Sequence, residues 1–367
     1  MLDAGVYPYY IGRVTVTIKQ VAQEAQVSYV TALRSMGSSP GRVLPATAER
    51  VLAVAERLGY RPNPAARALI NQASPYVGVL YGIGFGCNRR IPVSEMMRIY
   101  SELHYALTVD LEAREYHVLS SSAAPHVIDS EAGESEVPKL LQQQHVGALV
   151  VIGDVWPALH REIIRFRLPA VGIYCPSVSG VPTIDMNYQA AAKQCTQHLL
   201  QLGHRRIAFA PGRWKTWKTE PMQFGYLGAM GEADVKPVPC WDQFRESAEL
   251  IAAQLKGKHA PTAFVVYDDY EAVRTIDLLE AEGRRVPEDV SIVAVQNMGP
   301  GAVRRPTVSG CPIPVAPMAQ ASVKLLLDPV ADDLRDPQNQ RIDSSLVEAD
   351  SSGKPRVAAR SAVASPN

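Results

Sequence analysis

The feature that leaves this chain fewest choices lies between residues 75 and 300, where short apolar runs alternate with helical stretches. "YVGVLYG" precedes a long helical stretch around "SEMMRIYSELHYALTVDLEAREY", and "HVLSSS" follows it. "VPKLLQQQH" leads into "VGALVVIG", "ALHREIIRFRL" into "PAVGIY", and "YQAAAKQCTQHLLQLGH" into "RRIAFAPG". "RESAELIAAQLKGKHAP" leads into "TAFVVYDD", and "YEAVRTIDLLEAEGRRVPEDV" into "SIVAV". Strands that are apolar throughout, each followed by a helix, belong to parallel sheets covered on both faces. That many units in a core of roughly 280 residues, from 75 to 349, fit two doubly wound α/β domains better than one sheet. Ligands of such sheets bind beyond the carboxyl ends of the strands.

The segment ahead of this pattern is different. "VTIKQVAQEAQVSYVTALRSM" (residues 16–36) carries Ile18, Val21, Ala22 and Ala25 at helical spacing, with Thr17 placed to cap. After the break at "QVS", Ser28 can cap a second helix from Tyr29 to about Met36. Thr47 is expected to cap a third, which runs through Leu58 and stops at Gly59. "YRPNP" breaks any continuation, "AARALI" forms a short helical string, and "NQASP" reads as a linker. The chain is neutral overall, with 37 Lys+Arg against 37 Asp+Glu, but the charge is unevenly placed. Residues 1–72 hold eight basic residues and four acids, a surplus of +4 that leaves −4 on the remainder. A basic module on an acidic body points to an anionic partner at that end. Helix, tight turn, helix is the DNA-binding arrangement in which the second helix enters the major groove. Tyr29 and Val30 would then lead the base readers, with Arg34 on the same helix for guanine or phosphate.

Other classes find little support. Cys87, Cys175, Cys195, Cys240 and Cys311 are scattered without metal spacing and read as core residues in a reducing cytosol. No apolar run reaches membrane-spanning length, and the first residues lack the pattern of a signal peptide. There is no G-x-S-x-G, P-loop or H-E-x-x-H, and "GIGFG" is not G-x-G-x-x-G, so no enzyme is expected. The eight histidines do not cluster at metal spacing; His204, in the turn "LGHRRI", reads as structural. Neither a cofactor nor a metal is expected.

Taken together, "VTIKQVAQEAQVSYVTALRSM", "GYRPNPAARAL", "QHLLQLGHRRIAFAPG" and "PTAFVVYDDYEAV…LLEAEGRRVPEDVSIVAV" resemble, in order, the LacI/GalR family of bacterial transcriptional regulators, from about Val16 to Ala349. The resemblance implies an all-α helix-turn-helix head (16–61) after an N-terminal extension (1–15). It implies a hinge helix and linker (62–74) and a periplasmic-binding-protein-like core of two α/β subdomains (75–349), crossed near 185 and 310. Residues 350–367, small and polar, read as a disordered tail. The implied function is a cytoplasmic homodimer on a near-palindromic double-stranded operator, a repressor controlled by a small-molecule effector. Its DNA contacts would be Thr17, Ser28, Tyr29, Val30, Thr31 and Arg34 of the head and Asn63, Ala66, Arg67 and Leu69 of the hinge. Leu69 would be the minor-groove wedge. The runner-up is a solute- or sugar-binding protein of the same core without a DNA role; the basic head speaks against it.

The chain departs from the family pattern in places. Gln26 stands where the turn usually has glycine, Leu33 replaces a small polar residue, and "GSSPGRVLPAT" alters the spacing before the third helix. In the core, "YDD" replaces "A-N-D", Gln296 and Asn297 replace paired aspartates, and Met222 holds the position of the arginine before "G-Y/F". The effector set implied by position is Tyr81, Phe85, Asp185, Trp214, Trp217, Met222, Asp268, Asp269, Gln296 and Asn297. Of these, Asp268 or Asp269 could equally cap the helix that follows. Aromatic faces beside amides and carboxylates suit a hydroxyl-rich ring, so a neutral sugar is the expected class. Arg213, Lys215 and Lys218 lie near enough in sequence to restore positive charge.

Overall fold

The structure is a computed structural model that describes residues 16–35, 43–60, 74–82, 93–122, 146–153, 155, 157–212, 215–239, 247–257, 259–298, 306–327 and 339–356. The chain divides into two compact units, one ending at Pro75 and the other beginning at Tyr76.

The first unit contains three helices, α1 (Ile18–Glu24), α2 (Tyr29–Ser35) and α3 (Pro45–Leu58). Thr17 caps α1 through a reciprocal capping box with Gln20. Gln26 takes the turn in the left-handed region, φ 51. A residue with a Cβ pays about 1 kcal/mol for this relative to glycine. Val21, Ala22, Ala25, Ala32, Val51, Val54 and Ala55 close a small core across all three helices. The third helix starts earlier than its sequence suggests. Leu44 is its N-cap without a side-chain hydrogen bond, and Pro45, whose fixed φ suits the first helical position, begins it. Thr47 therefore lies inside the helix and does not cap it. Gly59 ends α3 at φ 67, as its position predicts.

The second unit holds two parallel sheets. The first has six strands in the order β10-β5-β4-β3-β1-β2 and the second four in the order β6-β7-β8-β9. The first sheet comprises β1 (Tyr76–Gly82), β2 (His117–Ser122), β3 (Ala148–Gly153), β4 (Ala170–Ile173), β5 (Thr183–Met186) and β10 (Gln340–Ile342). The second comprises β6 (Ile207–Ala210), β7 (Ala263–Asp268), β8 (Ser291–Asn297) and β9 (Ser309–Pro312). Along each strand alternate residues serve opposite faces. Val77 and Val79 of β1 pack with Leu103 and Leu107 of α4 (Val93–Glu112), while Leu80 packs with Leu159 and Ile163 of α5 (Pro157–Phe166). In the second sheet, Phe209 and Val265 face α6 (Tyr188–Gln201) and α7 (Thr219–Glu232). Phe264 and Val266 face α8 (Ser247–Gln254) and α9 (Asp269–Ala281). Burial on both faces explains why these strands read as unbroken apolar runs.

The chain passes between the two sheets at Met186–Tyr188 and again between β9 and α10 (Val315–Leu327), which packs on α4, β4 and β5. It passes a third time after β10. Residues beyond Ile342 return to the four-stranded sheet, where Val347 pairs with Gly310 and the backbone N–H of Ile292 donates to Ser351 O at 2.8 Å. This corrects the expectation of disorder from Asp350 onward, because residues 350–356 are placed and Ser351 is fully buried. Its hydroxyl donates to Ile292 O and accepts from Ser309 N. Short polar side chains that read as a solvated tail here satisfy backbone groups beside β8 and β9.

Candidate functional site

Two places carry the chemistry, and they lie in separate units. In the head, Ser28 caps α2, its Oγ accepting from Thr31 N at 3.0 Å and pairing with Thr31 Oγ1 at 2.8 Å. Ser28 and Thr31 therefore set the helix start. Tyr29 and Val30, 44% and 49% exposed, are large apolar residues left at the surface at the N-terminal end of α2. Arg34, one turn after Val30, is exposed on the same face. Arg57, by contrast, is engaged with Glu24 at 2.8 Å and ties α3 to α1. Asn63, Ala66, Arg67 and Leu69 lie outside the described residues.

In the core, side chains converge where the strands of both sheets end. Asp185 of β5 is 1% exposed and accepts three hydrogen bonds. Met186 N and Tyr188 Oη donate to Oδ1 at 2.8 and 2.7 Å, and Trp217 Nε1 donates to Oδ2 at 2.9 Å. Trp217 and Lys218 stand just ahead of α7, on the segment that leaves β6. Gly212 lets that segment pass against Tyr267: it sits at φ 80, and a Cβ there would meet Tyr267 Cβ and Cγ at 3.3 and 3.4 Å. Thr216 pins the turn by pairing with Tyr267 Oη at 3.0 Å and donating its N–H to Thr219 Oγ1 at 3.0 Å. Lys218 is 4% exposed. Its Nζ donates to Gln296 Oε1 at 3.3 Å and lies 3.7 Å from the Tyr174 ring centroid, with Trp217 and Tyr188 at 5.0 and 5.5 Å. Tyr174 follows β4 and holds φ 54, a strained setting for a non-glycine residue.

Opposite charges sit near one another, Lys218 near Asp185 and Arg98 near Asp269. Burial raises the Asp185 carboxyl, and Lys218 and the three donors pull it partly back. Tyr188 is pushed well up by burial and by the Asp185 charge, so it remains a neutral donor. Asp268 is the N-cap of α9 and accepts from Glu271 N at 2.9 Å; burial pushes its carboxyl up to about 7. Asp269 is also raised by burial, against the pull of Met298 N, which donates to it at 3.0 Å, and of Arg98 on α4. Arg98 reaches from the six-stranded half to donate to Met298 O.

The positions named from sequence therefore separate. Asp185, Trp217 and Gln296 come together around Lys218, with Asp268 close enough for its charge to feel the ammonium. Asn297 turns away and donates to Val308 O at 2.9 Å. Met222 is fully buried in the apolar core one turn after Lys218. Tyr81, near the carboxyl end of β1, stacks on Tyr100 at 5.9 Å, beside His104. Phe85 and Trp214 lie outside the described residues. Tyr174, Tyr188 and Lys218 complete the site but were absent from the positional set. Lys218 had a signal, since it lies four residues before Met222 and thus on the same helical face.

Cys175, Cys195 and Cys311 are buried thiols outside any disulfide. His204 is held between Thr262 Oγ1 and Gly353 O, both at 2.8 Å, a structural role. No helix among the described residues is long and apolar enough to cross a membrane.

Comparison with known proteins bears on both places. Residues 17–63 match the family described as bacterial regulatory proteins, lacI family, and residues 196–352 match a periplasmic binding protein-like domain. Catabolite control protein A of Priestia megaterium is 27% identical over 348 residues, covering 91% of this chain and 96% of that protein. The fold is also that of the Lac repressor dimer bound to operator and the anti-inducer ONPF (TM-score 0.69, 21% identity, 92% of this chain and 99% of that one). The same holds for the transcriptional regulator CelR–cellobiose complex (TM-score 0.58, 22% identity, 92% and 99%). The chain thus joins a helix-turn-helix head that matches the lacI family of bacterial regulatory proteins to a periplasmic-binding-protein-like core.

Proposed function

We propose that this chain is a transcriptional repressor that binds a near-palindromic operator as a homodimer in the cytoplasm and answers to a small-molecule effector at the strand ends of its core. The observation that carries the reading is the pairing of two sites on one chain. A capped helix α2 presents Tyr29, Val30 and Arg34 outward, and a buried polar cluster around Asp185 and Lys218 sits where ligands of doubly wound sheets bind. A solute-binding protein would have no use for the first of these. Two heads on a two-fold dimer supply the contacts that one short head lacks. The Lac repressor structure named above contains operator DNA, and that of CelR contains cellobiose, which supports both partners.

The charge pattern favours a neutral, hydroxyl-rich effector. Lys218 is offset by nearby Asp185, and Arg98 by Asp269 and by Glu102 at 3.7 Å, which leaves Asp268, a carboxyl readily protonated near neutrality. An added anion would leave the cleft with uncompensated negative charge at a buried place. Sugar hydroxyls could accept from Lys218, donate to a carboxylate and present a ring face to Trp217 or Tyr174. Enrichment of bound sites from random duplex DNA, followed by gel shifts across a salt series, tests the first part. The regulator reading fails if no sequence is enriched. Thermal-shift screening of neutral sugars against sugar phosphates and nucleobases tests the second, and stabilisation by anionic compounds alone would overturn it.

A further inference from the structure

We propose that Trp217 and Lys218 form a built-in clasp that holds the cleft between the two halves of the core shut when no effector is bound. The inference rests on reading that cleft as the effector site, and it adds how the site is controlled.

The contacts divide by which half supplies them. Asp185 receives two of its three hydrogen bonds from the three residues that follow it in the chain, Met186 N and Tyr188 Oη. The third crosses the cleft, from Trp217 Nε1 on the segment between β6 and α7. Lys218 likewise keeps Gln296 within its own half and crosses to Tyr174, at the end of β4, with its charge over the ring. Separating the halves breaks the Trp217–Asp185 and Lys218–Tyr174 contacts, while the Met186–Asp185 and Lys218–Gln296 bonds lie within one half and Tyr188 sits at the crossover itself. A third crossing contact, Arg98 to Met298 O, sits beside Asp269.

The clasp is rigidly mounted. Thr216 and Thr219 lock the turn, Tyr267 holds Thr216, and Gly212 gives the passage past the Tyr267 ring. The groups it covers are those an effector needs, since Asp185 and Lys218 are almost completely buried in this closed arrangement. Entry of an effector therefore requires the clasp to leave. Opening exposes one carboxylate oxygen and an ammonium that keeps a single long hydrogen bond, and leaving either unpaired is costly. A sugar replaces the clasp group for group, with a hydroxyl donating to Asp185 Oδ2, an oxygen accepting from Lys218 and a ring face on Tyr174. Apparent effector affinity is then the intrinsic affinity reduced by the fraction of molecules that are open.

Amide hydrogen exchange on the full chain, followed by mass spectrometry, tests this without an effector. Trp217→Phe keeps the ring and removes the N–H donor. Lys218→Gln keeps a partner for Gln296 and removes the charge over Tyr174. In each variant, amides in 172–188 and 215–219 should exchange about tenfold faster, the size expected for losing one hydrogen bond to a charged group. Those in β3 and β8 should keep their protection. The clasp is refuted if 172–188 and 215–219 exchange as in the unaltered chain, or if β3 and β8 lose protection to the same degree. If Trp217→Phe does not fold, Lys218→Gln decides. Operator binding is read separately by gel shift, so failure of the regulator reading would leave the exchange result standing.

Discussion

The pairing of Asp185 with Lys218 can be measured through a double-mutant cycle of Asp185→Asn and Lys218→Met. The asparagine keeps one acceptor. Turned to serve Met186 N and Tyr188 Oη, it sets its amide NH2 against the Trp217 N–H, so two donors meet where a 2.9 Å hydrogen bond stood. A buried donor left unsatisfied costs about 1–3 kcal/mol, and removing one member of a buried ion pair costs about 3–5 kcal/mol. Burial already holds the Asp185 carboxyl above its usual range, so neutralising it also relieves desolvation. That places the single substitution at about 2–3 kcal/mol. Lys218→Met leaves the buried carboxylate without its counter-charge and should cost a similar amount. In the double variant no charge remains to be unpaired, so the loss should fall short of the sum by at least about 1 kcal/mol. Urea unfolding at pH 7 reads all three variants. If the losses add to within about 0.5 kcal/mol, the two groups do not act as a pair and the charge argument for the cleft fails with them.

Other perturbations reach the remaining parts of the molecule. Arg34→Ala should weaken operator binding about tenfold or more, whereas Arg57→Ala, which removes an exposed pair with Glu24, should change it little; gel shifts compare the two. Leu69→Ala is expected to lower operator affinity and DNA bending while leaving the melting of the core unchanged, and a bending assay on permuted fragments checks this. Gly225→Ala would drive a Cβ to 2.2 Å from Gln189 O and 2.9 Å from Lys193 N, backbone atoms of α6 that cannot rotate away. It should cost about 3 kcal/mol or more, a fall in melting temperature of about 6–12 °C. Asp268, pushed up to about 7 in the folded chain and near 3.9 when unfolded, binds its proton more tightly in the folded state. Its contribution to stability is thus full below about pH 4 and lost as pH rises through about 7. Asp268→Asn, which can still cap α9, should flatten the stability profile across that window, and an unchanged slope would show that another group sets it.

Sequence periodicity exposed the central strands because burial on both faces leaves no alternation to misread. β3 is apolar from end to end, β1 nearly so, and β7 and β8 are apolar until the polar residues at their carboxyl ends, so all four stood out. The elements at the sheet margins did not. β9, "SGCP", contains no large apolar side chain, and its glycine is required by packing: a Cβ at Gly310 would lie 2.4 Å from Ala294 O. β10 is only three residues long, and its place beside β5 depends on a partner 156 residues away. The serines of 350–353 look solvated because local composition cannot show that β8 and β9 offer them unpaired backbone groups. Thr47 was a plausible cap by residue type, but Pro45, two positions earlier, had already fixed the start of α3.

The candidate effector site failed to read clearly for a different reason. Position-by-position comparison with the family pattern finds Met222 where an arginine is usual and so finds a cation lost. A helix does not preserve position so much as face: residues four apart project from the same side, one turn of about 5.4 Å along the axis. Lys218 and Met222 are related in this way, at the start of α7 and one turn into it. Met222 is fully buried in the core, while Lys218 carries its charge to Tyr174, Gln296 and the neighbourhood of Asp185. The positive charge on this face therefore stands at the helix N-cap, one turn before Met222. That placement changes what it can do, because lysine is a compact point charge without arginine's fixed bidentate fork. A planar clamp suited to a ligand carboxylate or a pair of hydroxyls gives way to a single ammonium that an aromatic face can hold. It is this substitution of geometry, with charge conserved, that allows the protein's own side chains to close the cleft.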